Sequence, residues 1–110
     1  MVDFTVPASF EETAQRLAEG IANSGLSAKL IDRYRIRTPE GRQAEILVFE
    51  KYFMRTSNRA SLTVTVDNLQ NGTRVHAAAS GGGKDTLFSF DWGAGGSFEQ
   101  SVEDSLRGLL

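Results

Sequence analysis

Two adjacent ionisable residues, Glu50 and Lys51, sit inside an apolar stretch of this 110-residue chain, between Leu47-Val48-Phe49 and Tyr52-Phe53-Met54. Neighbouring strand residues point to opposite faces, so one of the two must face whatever covers the sheet. A charge left buried and unpaired costs on the order of several kcal/mol, so the inward group has to be paired, neutralised or near the rim. A carboxylate lining a cavity would be a general acid or base, whereas a charge at the rim would be structural.

The other chemically capable residues are scattered. His76, the only histidine, lies between Val75 and Ala77 on the outward side of its strand, with no carboxylates at a metal-ligand spacing. Gly81-Gly82-Gly83-Lys84-Asp85 lacks the leading glycine and the Ser or Thr after lysine that a phosphate loop needs. Gly93-Ala94-Gly95-Gly96-Ser97 enters a helix start, where free amides favour anions, but Ser97 fits the N-cap itself. Trp92, grouped with Phe88 and Phe90, reads as an aromatic plug at one end of the sheet, and Asp91 as a side chain capping the next turn. No Gly-x-Ser-x-Gly elbow and no triad is visible. No cofactor is implied.

Composition narrows the classes further. The absence of cysteine excludes a disulfide scaffold, a zinc-thiolate site, an iron–sulfur cluster and a cysteine nucleophile. Twelve basic and fourteen acidic residues give a net charge of −2, which disfavours a nucleic-acid partner. Eight cations fall between Lys29 and Arg59 against four acids, a pattern expected of cross-strand pairing on a solvated sheet. No apolar run approaches the roughly 18 residues of a membrane span, and Met1-Val2-Asp3-Phe4 has no signal-peptide layout, so a cytoplasmic protein is expected.

The elements that must position these residues follow from periodicity. Val2 to Val6 reads as a strand closed by Pro7. Ser9 and Glu12 form a capping box for a helix over about 10–24, with Phe10, Ala14, Leu17, Ala18 and Ile21 on one side. Strands are predicted over 28–37, 42–55, 60–67 and 73–80, separated by turns at Thr38-Pro39-Glu40-Gly41, Thr56–Arg59 and Asn71-Gly72. A glycine-rich segment over 81–96 leads to a second capping box, Ser97 to Gln100, and a helix carrying Phe98, Val102, Leu106 and Leu109. The prediction is a single α+β domain of order β-α-β-β-β-β-α: a two-layer fold with an antiparallel meander of about five strands and two helices on one face. The element order resembles helix-grip and TATA-binding-protein-like folds, an analogy that carries no function.

If Gly41 closes a three-residue loop, Ile36 faces Ala44, Tyr34 faces Ile46 and Arg35 faces Glu45. With Leu30, Tyr34 and Ile36 taken as the inward side, Glu50 points toward the helices near Asp32. Lys51 then lies on the open face with Leu47, Phe49 and Phe53; the opposite facing exchanges Glu50 and Lys51. Three large apolar residues on an open face are more than a solvated surface needs. The expected function is therefore a non-catalytic binding or self-association module, a homodimer closed through that face and not a membrane protein. The alternative is an enzyme or small-ligand binder with a cavity between sheet and helices around Glu50 and Asp32.

The segments Phe49-Glu50-Lys51-Tyr52-Phe53-Met54-Arg55, Ser80-Gly81-Gly82-Gly83 and Phe90-Asp91-Trp92-Gly93-Ala94 resemble those of a small bacterial family of unknown function. The resemblance spans the whole chain and implies no activity, substrate or catalytic residue.

Overall fold

The computed structural model describes residues 2–22, 28–53, 58–81, 102 and 105–108. Five strands, β1 (Val2–Val6), β2 (Ala28–Arg37), β3 (Gln43–Phe53), β4 (Asn58–Asp67) and β5 (Thr73–Gly81), and one helix, α1 (Phe10–Ala22), form an α+β fold. The strands make one antiparallel sheet in the order β1-β5-β4-β3-β2. β2 to β5 is the expected meander, and β1 completes the sheet beside β5.

Local chemistry explains the boundaries. Ser9 Oγ accepts a hydrogen bond from the Glu12 amide at 3.1 Å, so the predicted N-cap starts α1. In the β2–β3 turn the Gly41 amide donates to the Thr38 carbonyl at 3.0 Å, and Gly41 takes a φ of +91° that suits glycine. The β4–β5 turn is held from outside: Arg42 Nη1 donates to the carbonyls of Asn68, Leu69 and Gln70.

Among the described residues the core lies on one face of the sheet. Phe10, Ala14, Leu17, Ala18 and Ile21 of α1 pack with Leu47 and Phe49 of β3, Leu62, Val64 and Val66 of β4, and Val75 and Ala77 of β5. Val102 and Leu106 are fully buried in the same cluster. At Gly20 this C-terminal segment comes close to α1. A Cβ there would come within 2.5 Å of Ser105 Oγ and 2.9 Å of the Ser105 Cα, so only glycine fits.

The expected residue pairs of the β2–β3 hairpin are present: Ile36 with Ala44, Arg35 with Glu45, Tyr34 with Ile46. Their facing is the reverse of the one expected. Leu47 and Phe49 are in the core, Lys51 is buried on the helix side at 5% exposure, and Glu50 points to the open face. The cause is the neighbour on the other side: β3 pairs Leu47 with Val64 and Phe49 with Leu62, and those β4 residues face α1. Tyr34 and Ile36 point outward, and a register shift between Leu30 and Asp32 turns Leu30 back toward the core. The cavity expected around Glu50 and Asp32 is overturned with it, because cross-strand pairing puts both on the uncovered side. One helix, not two, is found among the described residues; Ser97 and most of the expected second helix lie outside them.

Candidate functional site

The uncovered face of the sheet divides lengthwise. Its β2–β3 half carries an apolar stripe, Tyr34 and Ile36 of β2 beside Ala44, Ile46 and Val48 of β3, bounded by Asp32 opposite Val48 and by Lys29 opposite Glu50. Tyr34 is 59% exposed, Ile36 45%, and the bulged Ile31 52%. β4 contributes Thr63 and Thr65, directly opposite Val48 and Ile46. The β5–β1 half is polar. Ala78 and His76 lie beside Thr63 and Thr65, and Asp3 of β1 lies beside His76. These side chains are mostly small or β-branched along the centre.

Both ends of this face are charged. At one end Arg74 Nη2 donates to both Asp3 carboxylate oxygens at 3.2 Å, beside a depression of about 190 Å³ lined also by Asp67, Leu69, Gln70 and His76. At the other, Lys29, Glu50, Tyr52 and Arg59 line a wider depression of about 500 Å³. Arg59 lies over the Tyr52 ring, 5.8 Å from its centroid, and donates to Glu50 Oε1 at 3.3 Å. Glu50 is thus a half-buried ion-pair partner on the open face.

The buried carboxylate of the sheet is Glu45, only 2% exposed and on the helix side. Arg33 Nε donates to its Oε2 at 2.9 Å and Arg35 Nε to its Oε1 at 2.8 Å. Arg35 also reaches Glu11 at 2.6 Å and lies over the Phe10 ring, 5.0 Å from its centroid. The hydrogen bond to Glu11 is the main cause raising the Arg35 pKa above its ordinary value; desolvation opposes it, and Glu45 adds to the rise. This cluster ties the edge strand β2 to the start of α1. It is a structural brace, with both carboxylate oxygens of Glu45 already engaged.

Of the residues singled out in the sequence, Leu47 and Phe49 are core, Lys51 is buried opposite Ala60, and Glu50 joins Tyr52 at the open corner. The Phe53 backbone pairs with Asn58, and its side chain lies outside the described residues, as do Asp91 and Trp92. Sequence reasoning missed Tyr34, Ile36, Ile46 and Val48 as the apolar surface. The signal was the β4 alternation, which fixes the inward side of β3 once the two strands are registered. Among the described residues no group of three or more His, Cys, Asp or Glu is placed to hold a metal, and no helix is long and apolar enough to cross a membrane.

One antiparallel sheet, covered by a helix on one side and, among the described residues, by no other element on the other, defines an α+β protein whose distinguishing surface is a sheet face. The chain belongs to the family of unknown function DUF6054, whose model matches residues 1–109. Comparison with curated proteins and with solved structures gives no match.

Proposed function

We propose that this protein is a non-catalytic binding module that works through the open face of its sheet, and that the partner seated there is a second copy of the chain. The observation that carries this reading is the apolar stripe of Tyr34, Ile36, Ile46 and Val48, continued by the exposed Ile31. A solvated face of an antiparallel sheet is normally polar at these positions. Size agrees. Four strands of nine to eleven residues and the five-residue β1, at about 3.3 Å per residue and about 4.8 Å apart, present a face of roughly 700 Å². A standard two-partner interface needs about 800 Å² per partner. An isologous face-to-face contact closes on itself as a two-fold dimer.

The proposal extends to a second helix that starts near Phe98 and ends before Gly108, which takes a φ of +95°; Val102 and Leu106 would share one buried side of it at helical spacing. It extends also to a bacterial, cytoplasmic setting, with which a cysteine-free sequence is compatible.

Sedimentation equilibrium of the wild type and of Tyr34→Lys tests the reading. The wild type should be a dimer at micromolar concentration, and Tyr34→Lys a monomer with an unchanged circular dichroism spectrum. A wild type that stays monomeric at the highest soluble concentration overturns it.

A further inference from the structure

Resting on that reading, we infer that each copy seats its β2 on the partner's β3, the two-fold axis running along the strands over the β2–β3 seam. Such an axis keeps every residue at its own level and exchanges the two strands. Each cross-strand pair of the open face therefore becomes a pair between copies. Tyr34 comes over the partner's Ile46, and Ile36 over the partner's Ala44. Lys29 comes over the partner's Glu50, so two opposite-charge contacts close one end of the apolar strip. Asp32 comes over the partner's Val48, with the hydroxyl of the partner's Thr63 beside it as a donor.

Other placements of the same face fail on named residues. An axis across the strands between the Ile46 and Val48 levels reverses the rows and lays Tyr34 and Ile36 on Asp32 and Lys29. An axis along β4 lays Tyr34 on Asp3 and Ala44 on Arg74. An axis along β3 sets Glu50 on the partner's Glu50 and Ile36 on Asp67. Of these four, the seam axis alone lays apolar on apolar and brings opposite charges together. Its dry strip is two strands wide, roughly 300 Å² per copy. Thr63 and Thr65 of β4 make a polar rim along the partner's edge strand. A contact of that size sits at the weak, readily exchanging end of specific interfaces. Stacked sheets cross at up to about 30°. That displaces the Lys29 row by about 5 Å, within reach of a lysine side chain.

Sedimentation equilibrium at low salt tests the arrangement with two single variants. Lys29→Glu places like charges over the partner's Glu50 at both contacts, and Glu50→Lys does the same over the partner's Lys29. Each alone should weaken the dimer by about tenfold. An equimolar mixture of the two should recover wild-type association, because in the mixed dimer opposite charges meet at both contacts. The like-charge pair inside each chain persists in the mixture, so the recovery reports contact between copies. Glu50 also pairs with Arg59, so Glu50→Gln mixed with Lys29→Glu serves as a milder combination. It should restore one of the two contacts and part of the association. A dimer that both charge reversals leave unchanged, or that they weaken and neither mixture restores, overturns the seam stack and leaves the open-face reading standing. A wild type that stays monomeric at the highest soluble concentration overturns both readings.

Discussion

β4 and β2 are both ten-residue strands of alternating character, yet their apolar sides mean opposite things. In β4, Ala60, Leu62, Val64 and Val66 all face the helix and are buried. In β2, Tyr34 and Ile36 face water, while the side turned toward α1 carries Arg33 and Arg35. The difference is position. β4 is the central strand, with the core directly above it, whereas β2 is an edge strand alongside the first turn of α1. There the inner surface is closed by arginines clamped on Glu45, whose aliphatic stems cover apolar surface while their heads stay partly hydrated. Alternation therefore says that a strand has two unlike faces. Which of them is inside depends on what lies above.

The sharpest way to break the comparison is to remove apolar volume from each side. Phe49 is fully buried next to Leu62 and near α1, so Phe49→Ala should cost about 3–5 kcal/mol. Urea midpoints report it. A loss below about 1 kcal/mol, typical of surface sites, would restore the originally expected facing, in which Phe49 was an exposed interface residue.

The residues also show how much was legible. Ser9, the apolar side of α1, the Gly41 turn and the β2–β3 pairing were all readable, because each depends on neighbours within a few residues. The facing of β3 was not readable from β2, because a register shift after Leu30 changes the parity of that strand midway. It was readable in principle from β4: with Leu62 and Val64 inward, a register pairing Leu47 with Val64 forces Leu47 and Phe49 inward. That register spans the Met54–Ser57 connection, whose length alternation cannot give. The candidate site inherited the error whole: a one-residue change of facing exchanges Phe49 for Val48 and Lys51 for Glu50. The Arg35–Glu45 contact survived it, since cross-strand partners share a face whichever way that face points.

The brace at Glu45 sharpens the comparison at intermediate size. Glu45→Gln removes the charge that holds Arg33 and Arg35 at 2.9 and 2.8 Å. Hydrogen bonds to charged groups contribute about 1.5–3 kcal/mol, and the partial exposure of both arginines lowers the value, so a loss of about 1–2 kcal/mol is expected. The loss should be local: amide exchange should speed up along β2 and the first turn of α1 before it does in β4. Uniform acceleration across β2 and β4 would show that the edge strand has no separate anchor.

The smallest expected effect on stability is at the open face, and there the contrast becomes diagnostic. Tyr34 contributes an exposed ring at the edge of the stripe, and its cross-strand partner Ile46 stays packed between β2 and β4 without it. Tyr34→Ser therefore removes little buried area from the monomer, and the unfolding free energy measured below the dissociation concentration should change by less than about 0.5 kcal/mol. Association should respond much more, because aromatic anchors carry a large share of interface energy and truncating one costs on the order of 2 kcal/mol. That corresponds to a roughly 30-fold weaker dimer at 1.4 kcal/mol per tenfold. The two quantities separate in one experiment, a denaturation series repeated over a range of protein concentration. For the wild type the midpoint should climb with concentration, as coupling to association requires, and for Tyr34→Ser the climb should begin at higher concentration from an unchanged low-concentration baseline. A baseline that falls by several kcal/mol would instead place Tyr34 inside the fold, and β2 would then be an ordinary core strand like β4.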